Sequence, residues 1–175
     1  MSTLIVMVGL PGSGKDTWIT NFLKTERGEN FKVVGTDLVL EEIAAEKGLT
    51  YGDVFNDHIK EAEKIMNQRV QEYSKAGVDV IWNQTNLSAK KRKKILHIFN
   101  KYQNKFAVSI VIDKSVHLQR LEERSKRENK TIPVNVILDM MDSRTEPSLD
   151  EGFNSIMVLD TSGETPELVS FTQAH

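Results

Sequence analysis

The 175-residue chain contains no cysteine. Disulfides, cysteine-ligated zinc and thiol nucleophiles are thereby excluded, and a reducing cytoplasm is the expected setting. Long apolar runs are missing as well: nothing approaches the ~20 residues that a membrane-spanning helix needs. The apolar stretch at 4–8 has no basic segment before it and stops at a glycine loop, so it does not read as a signal peptide. No membrane partner is expected. Charge is not biased to one sign: 23 Lys and Arg stand against 25 Asp and Glu, which argues against a protein that coats nucleic acid non-specifically. The 4 prolines and 10 glycines form no linker, and no repeat or low-complexity tract divides the chain. One domain over residues 1–175 is expected.

What is present is an alternation. Short apolar runs, TLIVMV (3–8), FKVVG (31–35), VDVIW (78–82), FAVSIVI (106–112) and SIMVL (155–159), read as about five buried strands. Helical patterns lie between them. One starts in the glycine loop; others cover about 38–47 and 53–76, begin at the N-cap Ser88, and cover 115–127 and 133–143, the last opened by Pro133. Strands alternating with helices predict an α/β domain with a mostly parallel sheet, and ligands in such sheets bind beyond the carboxyl ends of the strands.

The segment after the first strand, GLPGSGKDT, carries Gly9, Gly14 and Lys15 in the spacing G-x-x-x-x-G-K, with a strand before and a helix after. Glycines let the backbone turn its N–H groups inward, and the helix start adds partial positive charge. Leu10, Pro11, Gly12, Ser13, Gly14, Lys15, Asp16 and Thr17 are therefore read as the binding site for the phosphates of ATP. Lys15 is expected at the β- and γ-phosphates. Such loops usually place Ser or Thr after the lysine to meet Mg²⁺; here Asp16 stands there, a charged oxygen ligand for the metal directly or through water.

Asp37 ends the second strand, where a carboxylate can take the proton of an attacking hydroxyl, bind Mg²⁺, or cap the following helix. Asn83, Gln84, Thr85 and Asn86 follow the third strand. The cluster Lys90, Lys91, Arg92, Lys93 and Lys94 comes next, either a solvated face or a track for nucleic-acid phosphates. No aromatic residue interrupts it, so base stacking is not indicated. Arg120, Arg124 and Arg127 recur at steps of four and three before ENKTIP, as ordinary surface ion pairs or as lid arginines that clamp phosphates; Arg127 stands out. The four histidines show no metal-ligand spacing, and Phe153 reads as core or as a contact to a base.

GLPGSGK, the aspartate after strand two, QTNLS and RSKRENKTIPVNVILDMM occur in the order found in the kinase domain of phage polynucleotide 5′-kinases, which residues 3–143 resemble. The resemblance implies a P-loop NTPase-type three-layer fold with a helical lid at about 120–133. It implies an ATP- and Mg²⁺-dependent kinase for a hydroxyl. By position, Lys15 would be the phosphate lysine, Asp37 the general base and Arg127 the clamping arginine, with Arg124 beside it on ATP. Gln84, Thr85, Asn86 and Arg92 would be on the substrate side. Three positions depart from the family: Asp16 replaces serine, Leu40 replaces an arginine that grips the 3′-phosphate, and Gln84 replaces an aspartate. The expected acceptor is DNA or RNA, at a 5′-hydroxyl or a hydroxymethylated base. The alternatives are a nucleotide-like small substrate and, third, an ATP-binding module without catalysis.

Overall fold

The computed structural model describes residues 1–128 and 130–175. Its centre is a six-stranded sheet in the order β2-β3-β1-β4-β5-β6. The strands are β1 (Thr3–Val8), β2 (Lys32–Val34), β3 (Val80–Trp82), β4 (Asn104–Val111), β5 (Ser155–Asp160) and β6 (Glu167–Gln173). The first five are parallel, and β6 joins β5 antiparallel. Helices are α1 (Lys15–Leu23), α2 (Thr36–Lys47), α3 (Tyr51–Ala76), α4 (Ala89–Ile98), α5 (Lys114–Glu128) and α6 (Val134–Ser143).

β1 is apolar at nearly every position because helices cover both of its faces. Leu4, Val6 and Val8 point to one side, in a core shared with Val39 and Leu40 of α2, Met66 and Val70 of α3, Ile95 of α4 and Phe99 just after it. Ile5 and Met7 point to the other, against Ile19 of α1 and Val108 and Ile110 of β4. The period of two thus feeds two cores, giving the three layers expected. Each buried aliphatic side chain contributes about 1.5–3 kcal/mol. Leu40 and Phe153 belong to the first core, both buried, so Phe153 is a core aromatic.

Two element boundaries matter for function. Ser88 caps α4 as its sequence suggests, accepting from the Lys91 amide at 3.2 Å. α3 begins two residues earlier than its apolar stripe implies. Thr50 and Asp53 form a capping box, with the Asp53 carboxylate accepting from the Thr50 amide at 2.9 Å. That box puts Tyr51 into the first turn of the helix. β6 has no counterpart in the apolar-run reading: all seven residues are exposed, Leu168, Val169 and Phe171 among them, so it lacks the buried signature by which the other strands were recognised. Among the described residues no helix is long and apolar enough to cross a membrane.

Candidate active site

The parallel strands deliver their carboxyl ends to one edge of the sheet. There β1 opens into the glycine loop. Gly12 (φ 71°) and Gly14 (φ 108°) take left-handed conformations that glycine adopts without strain. A Cβ on Gly12 would lie 2.7 Å from Leu121 Cδ2 and 3.6 Å from an Arg124 guanidinium nitrogen, so helix α5 packs directly on the loop. The loop is tied to both neighbours. The Gly9 amide donates to the Thr85 carbonyl beyond β3 (3.0 Å), and the Thr161 hydroxyl beyond β5 donates to the Ser13 carbonyl (2.6 Å). His117, buried at the start of α5, engages the Pro11 carbonyl through Nε2 at 2.6 Å. Burial lowers its pKa, which favours the neutral ring.

Lys15 is the first residue of α1 and is buried. Its ammonium donates to the carbonyls of Gly9 (2.9 Å) and Leu10 (2.8 Å). Burial pushes its pKa down to about 8, against the opposing pull of Asp16 and Asp37, while Arg124 and Arg144 push it further down. Arg144 therefore belongs to this charge group, although its position after α6 gives no motif to find it by. A desolvated cation in a cradle of glycines, with two arginines near it, fits a polyphosphate. Asp16, in the first turn of α1, is exposed and accepts from Asn83 Nδ2 at 2.8 Å. Asn83 thus orients the carboxylate that would hold Mg²⁺. No group of three His, Cys, Asp or Glu gathers among the described residues. The metal's other ligands would be phosphate oxygens and water, as is usual for Mg²⁺.

Asp37 lies in the first turn of α2, but Gly35 is the N-cap and no side chain caps the helix. The capping role open to Asp37 from sequence is not the one it takes. Its Oδ1 accepts from the Tyr51 hydroxyl at 2.7 Å, and its Oδ2 lies 3.4 Å from Lys130 Nζ. The Lys130 side chain is 8% exposed; its ammonium also lies 3.8 Å from Glu41 Oε1 and 4.0 Å from the centroid of the Tyr51 ring. Burial raises the Tyr51 pKa, and Asp37 raises it further, so the phenol stays a donor. Burial also raises the pKa of Glu41, with Lys130 opposing. Tyr51 and Lys130 escaped sequence reasoning because a capping box and the return of the chain between α5 and α6 bring them to Asp37, and neither leaves a contiguous motif; Glu41 lies one turn along α2 from Asp37.

Three other sequence expectations are corrected. Arg92 is not on an exposed substrate track: it is 0% exposed. It donates to both Glu151 carboxylate oxygens at 2.7 Å and to the carbonyls of Asn86 and Thr145 at 2.9 Å, binding α4 to the 145–151 segment. Asn86 is also buried, in a left-handed conformation (φ 48°), with its amide donating to the Met7 carbonyl at 2.8 Å. Gln84 accepts from Trp82 Nε1 (3.0 Å) and donates to the Thr36 hydroxyl (2.9 Å), and Thr85 offers its carbonyl to Gly9. Arg92 and Asn86 thus brace the scaffold, whereas Gln84 and Thr85 are half-buried. Finally, the Arg127 side chain is 71% exposed, 3.5 Å from Glu128. Arg124, 19% exposed, pairs with Glu128 at 3.0 Å and is the arginine of α5 whose guanidinium lies beside Gly12.

A glycine loop that wraps a buried lysine, beneath helix α5 at the carboxyl edge of a parallel sheet, has the geometry of a phosphate-binding P-loop. A family model described as "AAA domain" matches residues 4–147, and the chain belongs to that family. The chain is 28% identical over 141 residues to human heterogeneous nuclear ribonucleoprotein U-like protein 2, covering 78% of this chain and 19% of that protein. It therefore spans about a fifth of the curated relatives it matches. Three solved structures share the fold. The first is from the PezAT chromosomal toxin-antitoxin system of Streptococcus pneumoniae, with TM-score 0.69, 19% identity, and coverage of 99% of this chain and 74% of that one. The second is from the Pnkp1/Rnl/Hen1 RNA repair complex, with TM-score 0.64, 23% identity, and coverage of 81% and 43%. The third is a gluconokinase from Sinorhizobium meliloti 1021, with TM-score 0.55, 15% identity, and coverage of 93% and 84%.

Proposed function

We propose that this chain is an ATP-dependent kinase that transfers the γ-phosphoryl group to a hydroxyl of a polynucleotide, at a 5′-end or on a hydroxymethylated base. The observation that carries the kinase reading is the pairing of Lys15 in its glycine loop with Asp37, a carboxylate that caps no helix and is oriented by Tyr51. Lys15 binds and orients the β- and γ-phosphates. Asp37 takes the proton from the acceptor hydroxyl as that oxygen bonds to the γ-phosphorus. The bond from the γ-phosphorus to the β–γ bridging oxygen breaks, and ADP leaves. Mg²⁺, when bound, neutralises charge on the phosphate oxygens. Arg124 on α5 covers the loop and supplies positive charge to the transferring group; Arg127 is a second candidate if the lid turns.

Support for a polynucleotide comes from α4. Between Asp79 and Asp113 there are seven Lys and Arg and no Asp or Glu. Lys90, Lys93 and Lys94 are exposed, and none forms an ion pair among the described residues. An unneutralised row of this kind suits a phosphodiester chain. The structural likeness to an RNA repair complex points the same way. One observation favours a small acceptor instead: Asp16, Asp37 and Glu41 are close enough to influence one another, and this negative field opposes a polyanion.

Radiolabelled γ-ATP with Mg²⁺, offered 5′-hydroxyl DNA and RNA oligonucleotides in one set and nucleosides and nucleoside monophosphates in another, tests the proposal. Label on an oligonucleotide supports it. Label on small acceptors alone transfers the reading to a small-molecule kinase. ATP binding with no ADP released for any acceptor defeats both.

A further inference from the structure

Asp37 has two carboxylate oxygens, and both are engaged. The Tyr51 hydroxyl holds Oδ1 at 2.7 Å, and the Lys130 ammonium stands 3.4 Å from Oδ2. Lys130 is not an idle surface cation. Its side chain is 8% exposed, its ammonium rests over the Tyr51 ring, and Glu41 lies on another side of it. It comes from the far end of the lid, between α5 and α6, and reaches back to the first turn of α2. An acceptor hydroxyl that gives its proton to Asp37 needs an oxygen of that carboxylate. Tyr51 already donates to Oδ1 at 2.7 Å, so Oδ2, whose contact with Lys130 is the longer at 3.4 Å, is the oxygen more open to the acceptor.

We propose that Tyr51 and Lys130 form a gate on the general base: Tyr51 fixes the carboxylate, and Lys130 occupies the acceptor's place until an acceptor displaces it. This rests on the reading of Asp37 as the base. The gate answers a problem every such kinase faces. Water is an acceptor too, and a poised base beside bound ATP would let water take the γ-phosphoryl group. The Asp37 side chain is 59% exposed, so water reaches it, but the ammonium beside Oδ2 competes with water for that oxygen. A larger acceptor that fills the cleft and engages the lid displaces Lys130 while its own hydroxyl takes the vacated position. Lys130 acts here as a specificity residue and Tyr51 as a positioning residue.

The deciding experiment measures ADP release with ATP and Mg²⁺ but no acceptor. Lys130→Met keeps the length of the side chain and removes the charge. It is expected to raise this idle hydrolysis roughly three- to fivefold, about what an ion pair of this exposure is worth. Lys130→Arg should return it to the wild-type level. Tyr51→Phe keeps the ring beneath the ammonium and removes the donor to Oδ1. It should lower kcat on a 5′-hydroxyl oligonucleotide roughly tenfold, with the KM for ATP unchanged.

Idle hydrolysis unchanged or lowered in Lys130→Met overturns the gate, since a cation that merely supports the fold or clamps phosphate gives those results. Asp37→Asn separates this failure from failure of the underlying reading. If Asp37→Asn keeps normal turnover, Asp37 is not the base. If it abolishes turnover while Lys130→Met and Tyr51→Phe behave as wild type, only the gate falls. The added hydrolysis of Lys130→Met must also vanish in the double variant with Asp37→Asn. Nucleotide affinity measured on each variant shows that the fold and the loop remain intact.

Discussion

On the side proposed to hold the phosphoryl donor, main-chain groups of the loop around Lys15 take part in every contact: the Gly9 amide on Thr85, the Ser13 carbonyl under Thr161, and the Gly9 and Leu10 carbonyls on the lysine itself. On the side proposed for the acceptor, Asp37 is held by side chains alone, Tyr51 from the start of α3 and Lys130 from between α5 and α6. Each of these loop contacts has a main-chain group at one end, which no substitution removes, although Thr161 and Lys15 supply side chains at the other. Side-chain contacts change with a single residue. The donor side is thus suited to staying constant, and the acceptor side to being retuned for another substrate.

A variant in the scaffold shared by both halves should harm neither selectively, and it carries the largest expected effect. Arg92→Met leaves Glu151 buried without its cation and should cost about 3–5 kcal/mol of stability. Thermal unfolding should show the loss, while turnover per folded molecule and the salt dependence of oligonucleotide binding stay as in wild type. A flattened salt dependence would instead return Arg92 to the substrate track. Next comes the donor half itself. Lys15→Met should lower kcat on the order of 10²–10³-fold with the fold intact. A smaller loss than for Asp37→Asn would upset the view of Lys15 as the main phosphate ligand.

The lid comes third. Arg124→Ala should reduce kcat roughly tenfold and Arg127→Ala less than about twofold, from the charge each loses near the transferring group. The reverse order in steady-state kinetics would mean that the working lid turns Arg127 inward. The smallest effect is in proton balance. Lys15 has a folded-state pKa of about 8, below its ordinary 10.5. The neutral amine therefore suits the apo fold, so apo stability contributed by this group rises as pH climbs from 8 toward 10.5. Nucleotide phosphates favour the ammonium instead. Binding should take up almost no proton near about pH 7 and approach one proton near about pH 9. Calorimetry in two buffers of different ionisation heat measures this; no uptake at the higher pH would mean the ammonium is not the phosphate contact.

The same contrast explains what could be read from the sequence. The donor half was legible because its residues are contiguous: a strand, G-x-x-x-x-G-K and a helix declare themselves within about 20 residues. Asp37 was legible by position after β2, although three roles fitted it until the structure removed capping. Tyr51 was hidden by a capping box that lengthened α3, and Lys130 by a contact spanning 93 positions. Arg92 misled because a basic run conceals which member faces inward; only its place on the stripe of Phe99 hinted at burial. Arg124 and Arg127 share one helix, and their order of importance depends on how that helix rolls on Gly12. β6 escaped because an exposed edge strand lacks the apolar signature of the others.

The stitching of the glycine loop to β3 and β5 has one more consequence. A loop already set by its neighbours gives up little disorder when a ligand arrives, so its recognition is fast and strong but coarse. It reads a chain of phosphates and little else. Which base rides on that chain has to be judged elsewhere, and a protein built this way can alter its nucleotide preference without touching a residue of the loop.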